Sequence, residues 1–263
     1  MTASASMPSS FATPAPPLST RGLIAGYEPD LPIVKGIDFT LRQGEFVTVL
    51  GPNGAGKSTF VKAIAGLVPL HGGTLSLADA DITGCPRHAL VRKGLAFVPQ
   101  TENIFATMTI RENLQIAATV LPKPVRKVRI EAMLDTYPDL AKRPGAVAGG
   151  LSGGQRQMLA TARALLVEPR VLILDEPSAG LSPKAVAEVF ERLVAINRSG
   201  VPVLLVEQNV RAALRIAHRA VILVDGRLRH DAPAAELAAD PDIGRLFLGA
   251  HGTAAPRNGD PAP

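Results

Sequence analysis

Tryptophan is absent from this 263-residue chain, tyrosine occurs twice and cysteine once. A single thiol, Cys85, excludes an internal disulfide and any metal cluster held by cysteines alone, and it fits a reducing compartment. So few aromatic rings leave little from which to build stacking platforms for single-stranded nucleic acid. Also missing is an uninterrupted apolar run of the roughly 18 or more residues that a membrane span needs, so the chain does not cross a bilayer alone. The first 20 residues, rich in Ser, Ala, Thr and Pro, carry no charge and lack the basic start and continuous apolar run of a secretory signal.

Hydrophobic residues at 46% and charged residues at 19% are the balance of a globular chain with a sizeable core. The net charge of +5 suits nucleotide phosphates, a membrane surface or nucleic acid, and does not decide among them. Residues 1–20 read as a disordered leader, and residues 250–263, rich in Gly, Ala and Pro, as a flexible tail.

Between these ends, short apolar runs alternate with longer helical patterns. Phe46–Leu50, Leu95–Val98, Val171–Leu174, Val203–Val206 and Ala220–Val224 read as buried parallel strands. Ser58–Leu67, Gly154–Val167, Pro183–Arg198 and Val210–Ala217 read as helices, so an α/β architecture with a mainly parallel sheet is expected. Residues from Thr109 to Ala141, helical and punctuated by Pro122, Pro124 and Pro138, read as a helical subdomain inserted into that core.

Directly after the first of these strands, residues 51–59 read Gly-Pro-Asn-Gly-Ala-Gly-Lys-Ser-Thr and fit G-x-x-x-x-G-K-[ST]. Small residues let successive backbone N–H groups converge on phosphate oxygens, and the following helix turns its positive end toward them. Lys57 adds a full charge, and the Ser58 hydroxyl is placed to ligate Mg²⁺. Gly51, Gly54 and Gly56 keep side chains out of the way of the phosphates, while Asn53, Ala55 and Thr59 complete the loop. The strand Val171–Leu174 runs into Asp175, suited to hold Mg²⁺ through a water, and then into Glu176, whose carboxylate can orient or deprotonate the attacking water. A second glycine loop, Leu151-Ser-Gly-Gly-Gln155, opens another helix and offers an anion site or a plain Ser152 cap.

The order of phosphate loop, Gln100, Leu-Ser-Gly-Gly-Gln and apolar-Asp-Glu resembles the nucleotide-binding subunit of ABC transporters, over about Arg21 to Leu248. That resemblance implies a P-loop ABC-type ATPase core carrying an antiparallel β subdomain, a domain spanning 21–249 with its helical insert at about 101–150. It also implies that Tyr27 stacks on adenine, that Gln100 reaches Mg²⁺ through its amide oxygen, and that Ser152, Gly153, Gly154 and Gln155 meet the nucleotide held by another subunit. Two copies head-to-tail, or one copy with a homologous partner, would then sandwich two ATP molecules. Most relatives carry a γ-phosphate-contacting histidine after the strand at Val203–Val206; this chain has Gln208, which can donate a hydrogen bond but cannot carry a proton. The segment Ala179-Gly180-Leu181-Ser182 lacks the usual interface carboxylate, and His218 reads as structural.

Glu-Gln-Asn at 207–209, Glu-Pro-Ser-Ala-Gly-Leu-Ser-Pro at 176–183 and the segment Asn103–Leu114 resemble ATP-binding subunits of branched-chain amino-acid importers, or of closely related urea and amide importers, with a soluble, non-transport ABC ATPase as the further alternative. Implied partners are multi-span permease subunits, a second ATPase subunit or a homodimer copy and, indirectly, an extracytoplasmic binding protein, with no nucleic acid. The implied place is the cytoplasmic face of the cell membrane. Thr101–Leu114 is the expected docking surface, and the basic residues Arg126, Lys127 and Arg129 read as a solvated helix face.

Overall fold

Strand β3 (Phe46–Leu50) shows why the apolar runs lie where they do. Its side chains alternate between two cores: Val47 and Val49 face one, Phe46 and Leu50 the other. With both faces covered, every position of the strand is apolar or buried, and each large side chain contributes roughly 1.5–3 kcal/mol. The same alternation holds along β7 (Val171–Asp175), β8 (Val203–Val206) and β9 (Arg219–Val224).

The computed structural model describes residues 15–240, ordered into two sheets, nine α-helices and two short 3₁₀ helices among those residues. An antiparallel sheet contains β1 (Leu18–Ala25), β2 (Val34–Leu41), β4 (Leu70–Leu77) and the two-residue β5 (Ala80–Asp81), in the order β2-β1-β4-β5. The second sheet adds β6 (Leu95–Val98) and β10 (Arg227–Pro233), in the order β10-β9-β3-β8-β7-β6. It is parallel throughout except for the β9–β10 hairpin. Helix α1 (Lys57–Ile64) follows β3 and packs into the core between the two sheets through Phe60, Val61 and Ile64. Helix α2 (Arg87–Lys93) precedes β6.

The helical insert comprises α3 (Ile110–Ala117), α4 (Lys123–Thr136) and α5 (Pro138–Ala141). It has its own core of Ile110, Leu114, Ile130, Leu134, Tyr137 and Leu140, closed by α6 (Gly153–Leu165) through Met158 and Leu159. Helices α7 (Pro183–Arg198), α8 (Val210–Ile216) and α9 (Ala234–Ala239) lie near the second face of the parallel sheet.

The five strands and four helices expected from the sequence thus lie where expected to within a few residues, while β1, β2, β4, β5, β10, α2 and α9 are additional, and one correction falls at the N-terminal boundary. The expected leader, 1–20, ends too late. Leu18–Thr20 already belong to β1, with Leu18 and Thr20 buried and the Thr20 hydroxyl donating to Ile37 O at 2.9 Å. The rest of the expected leader, to residue 14, and the expected tail, 250–263, lie outside the described residues.

Candidate functional site

The parallel register brings four loops together at one sheet edge. Val49 pairs with Val206, Val206 with Asp175, and Leu174 with Val98, so the loops leaving β3, β8, β7 and β6 emerge side by side. These loops carry residues 51–59, Glu207–Asn209, Glu176 and Gln100. The carboxyl edge of a parallel sheet is where such folds bind ligands.

The glycines of the first loop do two jobs. Gly54 and Gly56 have φ of 79° and 94°, which glycine adopts without strain. At Gly51 the constraint is space, because a Cβ would come within 2.3 Å of Leu223 O. The loop is braced from outside by the β9–β10 hairpin, whose Gly226 N–H donates to Ala55 O at 3.0 Å. Lys57 is buried, and its ammonium donates to Gly51 O (2.9 Å) and Pro52 O (3.0 Å), carbonyls of the same loop. Burial lowers its pKa, while the charges of Glu176 and Asp175 oppose that shift. Asn53 is exposed at the turn, and Thr59 is buried in α1.

Ser58 Oγ donates to Asp175 Oδ1 at 2.9 Å. The other carboxylate oxygen, Oδ2, is buried without a hydrogen-bond partner, and the nearest cation, Lys62 Nζ, is 4.0 Å away. Desolvation raises the Asp175 pKa, opposed by the Ser58 hydrogen bond and by the charge of Lys62. A hydroxyl and an orphaned carboxylate oxygen side by side are donors suited to a hard divalent cation.

Glu176 is where the remaining loops meet. Its Oε2 accepts from Gln208 Nε2 at 2.7 Å and from Gln100 Nε2 at 2.8 Å. Gln100 therefore turns its amide nitrogen to a carboxylate. Glu176 also has φ of 48°, a left-handed backbone that non-glycine residues adopt at some cost. Behind it, Glu207 is buried and accepts from Ser178 N (3.0 Å) and Ser178 Oγ (2.8 Å), a residue that sequence reasoning passed over. Burial raises the Glu207 pKa, and the hydrogen bonds from Ser178, Asn209 and Gln208 work against it. The only sequence signal was its position, a carboxylate directly after a fully buried strand.

The second glycine loop is a capping box. Ser152 Oγ accepts from Gln155 N at 3.3 Å, and Gln155 Oε1 accepts from Ser152 N at 3.1 Å. Its glycines also serve packing, since a Cβ on Gly153 would lie 2.7 Å from Leu181 Cδ2 and one on Gly154 would lie 3.2 Å from Ala185 Cβ. Gly153 shares with Gln100 and Glu176 the lining of a cavity of about 870 Å³. Tyr27 is 60% exposed on the loop after β1, a loop whose Ile33 borders Gly56. His218 is structural as expected: its Nδ1 accepts from Phe46 N at 2.9 Å.

A phosphate loop, an acidic strand end and a carboxylate gathered by two glutamine loops now lie on one edge. Residues 34–179 match the family described as ABC transporter. The chain belongs to that family. It is accordingly a nucleotide-binding ATP hydrolase, an ABC-type ATPase. It is 43% identical to a probable branched-chain amino acid transport ATP-binding protein, LivF, of Archaeoglobus fulgidus, over 88% of this chain and 98% of that one. Identity to the high-affinity branched-chain amino acid transport ATP-binding protein BraG of Pseudomonas aeruginosa is 36%, covering 86% and 97%. The lipopolysaccharide export ATP-binding protein LptB of Escherichia coli K12 is 32% identical, covering 82% and 91%. Among solved structures, a nucleotide-free ATP-binding cassette from an ABC transporter superposes with a TM-score of 0.78 at 23% identity, covering 89% and 99%. In this ABC ATPase, no described helix is long and apolar enough to cross a membrane.

Proposed function

We propose that this ATPase powers import of branched-chain amino acids through partner membrane subunits, hydrolysing ATP at the edge formed by β3, β6, β7 and β8. The observation that carries the hydrolytic reading is the pairing of a half-buried Ser58–Asp175 contact with Glu176 Oε2 held by Gln100 and Gln208. The import reading is supported by relatives at 43% and 36% identity that are named as branched-chain amino acid transport ATP-binding proteins. A urea or amide importer is the alternative for the cargo.

The loop Gly51–Thr59 binds the phosphates through its N–H groups and Lys57, exchanging the lysine's bonds to Gly51 O and Pro52 O for phosphate oxygens. Ser58, Asp175 and Gln100 would hold Mg²⁺, which would neutralise charge on the phosphate oxygens. Tyr27 offers its open face to adenine. Glu176 orients and deprotonates the attacking water, and Gln208 donates to the γ-phosphate without taking part in proton transfer. Ser152–Gln155 serve the nucleotide of a second ATPase subunit, either a homologue or another copy of this chain.

Permease subunits dock on a groove of about 390 Å³ between α2, α3 and α6, lined by Val91, Phe105, Ile116, Val120 and Arg163 among others. Phe105 and Val120 are 44% and 40% exposed there, and Arg163 stacks on the Phe105 ring at 4.6 Å. Part of the expected docking segment, at Glu102, Asn103 and Phe105, borders this groove. The chain then sits peripherally on the cytoplasmic face of the membrane, served by an extracytoplasmic binding protein on the far side.

Mild-detergent purification of the subunit from native membranes tests this reading. Two multi-span chains and a second ATPase should co-purify, and the associated binding protein should take up branched-chain amino acids. Co-purification of ribosomes or DNA without membrane chains would overturn the transport role, and a binding protein selective for urea would overturn the cargo alone.

A further inference from the structure

We infer that Glu207 is a positioning residue for hydrolysis, which acts through Gln208 and Ser178 to hold Glu176 in place; the inference rests on Glu176 being the water-activating group. Glu207 and Gln208 are consecutive on the loop after β8, and they grip the loop after β7 at two points two residues apart. Gln208 Nε2 donates to Glu176 Oε2 at 2.7 Å. Glu207 Oε1 accepts from Ser178 N at 3.0 Å, and its Oε2 accepts from Ser178 Oγ at 2.8 Å and from Gln208 N at 3.2 Å. One carboxylate, 2% exposed, therefore fixes both the residue that touches Glu176 and the segment that carries it.

The backbone of Glu176 needs such support. Its φ of 48° is sparsely populated for an L side chain and persists only where neighbours over-determine it. One tether is Glu176 N to Val206 O at 2.9 Å, at the end of β8. The Ser178–Glu207 pair is the next, and it comes from the same strand end. Glutamate suits the position because it accepts at every site, and it faces a hydroxyl and backbone N–H groups that all donate. Glutamine in its place offers one amide nitrogen that can accept from none of them.

The test is Glu207→Gln in the purified full chain, alone and combined with Gln208→Ala, measured by ATP hydrolysis, ATP affinity and thermal unfolding. Glu207→Gln should lower kcat on the order of 10- to 100-fold, with the dissociation constant for ATP and the melting temperature close to those of the parent. In the Gln208→Ala background the same change should cost less than about threefold, because residues acting as a unit are not additive. Unchanged kcat, an equal cost in both backgrounds, or a loss that tracks ATP affinity would each overturn the inference. Ser178→Ala, which removes only the hydroxyl donor, should show the same non-additivity with Gln208→Ala and carries the test if Glu207→Gln does not fold. Glu176→Gln run in parallel separates the two layers. A Glu176→Gln variant that still hydrolyses ATP refutes the base assignment. An inactive Glu176→Gln beside a fully active Glu207→Gln refutes the positioning role alone.

Discussion

Gln208 and Gln100 donate to the same oxygen of Glu176, at 2.7 and 2.8 Å, from loops that leave β8 and β6 on opposite sides of β7. An amide that holds a carboxylate in this way orients it without competing for its proton, because glutamine does not titrate. Replacing Gln208 by alanine should lower kcat on the order of 10- to 100-fold with little change in ATP affinity. Gln208→His should retain substantial activity but acquire a pH dependence near 6.5, the ordinary imidazole value, that the parent lacks between pH 6 and 8. Steady-state hydrolysis across that range, for parent and both variants, checks the pair of outcomes.

Lys57 spends its ammonium on two carbonyls of its own loop while it is 5% exposed. Burying a cation costs free energy that these bonds and the nearby carboxylates offset, and phosphate oxygens are the better partners. Lys57→Ala should weaken ATP binding on the order of 100-fold or more. Isothermal titration or a fluorescent nucleotide measures it directly, and unchanged affinity would remove the phosphate-binding role of residues 51–59.

Asp175 carries the opposite signature, a buried carboxylate oxygen with no hydrogen-bond partner. Its pKa is raised chiefly by desolvation, so the folded chain holds the proton more tightly than the unfolded one. Asp175 therefore destabilises the nucleotide-free protein above its raised folded pKa, and this cost disappears below the unfolded value near pH 4. Asp175→Asn should therefore raise the melting temperature of the nucleotide-free chain at pH 7.5, with the gain vanishing near pH 4. The same variant should bind Mg²⁺ with ATP on the order of 10- to 100-fold more weakly. A lower melting temperature at pH 7.5 would mean that Ser58 and Lys62 already compensate the charge.

Much of this site was legible because its chemistry is local. A phosphate loop needs consecutive small residues before Lys57, and a strand buried on both faces writes a continuous apolar run, so Phe46–Leu50 and Val171–Asp175 announce themselves. The antiparallel sheet is harder to read from its residues. Strand β1 changes register near Leu23 and Ile24, which breaks the two-residue alternation, and its Ser and Thr hide the burial of Leu18. Long-range partners were out of reach altogether. Nothing in the run 207–209 says that Glu207 bonds Ser178, 29 residues away in sequence. Likewise Gly226 looks like an ordinary hairpin glycine, yet a Cβ there would lie 1.8 Å from Ile33 O and disturb the brace on Ala55.

Arg219 links the two sheets. From the start of β9 it donates to Glu45 Oε1 at 2.7 Å, to Asp231 at 2.7 and 2.8 Å, and to Thr40 O of β2, with its guanidinium 5.6 Å from the Phe39 ring. Both Arg219 and Glu45 are nearly buried, at 12% and 9% side-chain exposure. Burial raises the Glu45 pKa, but the Arg219 hydrogen bond, the Arg42 N–H and the two arginine charges outweigh it and leave the value lowered. A lowered carboxyl contributes stability that is present above its unfolded value and lost as pH falls through the folded one. Arg219→Met leaves the nearly buried Glu45 carboxylate with only the Arg42 N–H at 2.8 Å and the more distant Arg42 guanidinium at 3.8 Å, and should cost about 3 kcal/mol in urea denaturation at pH 7, because breaking one side of a buried pair is worse than removing both. Adding Glu45→Gln should recover at least half of that loss. Glu45→Gln by itself should flatten the fall in stability between pH 5 and pH 3, a change that a contact made only through packing would not produce.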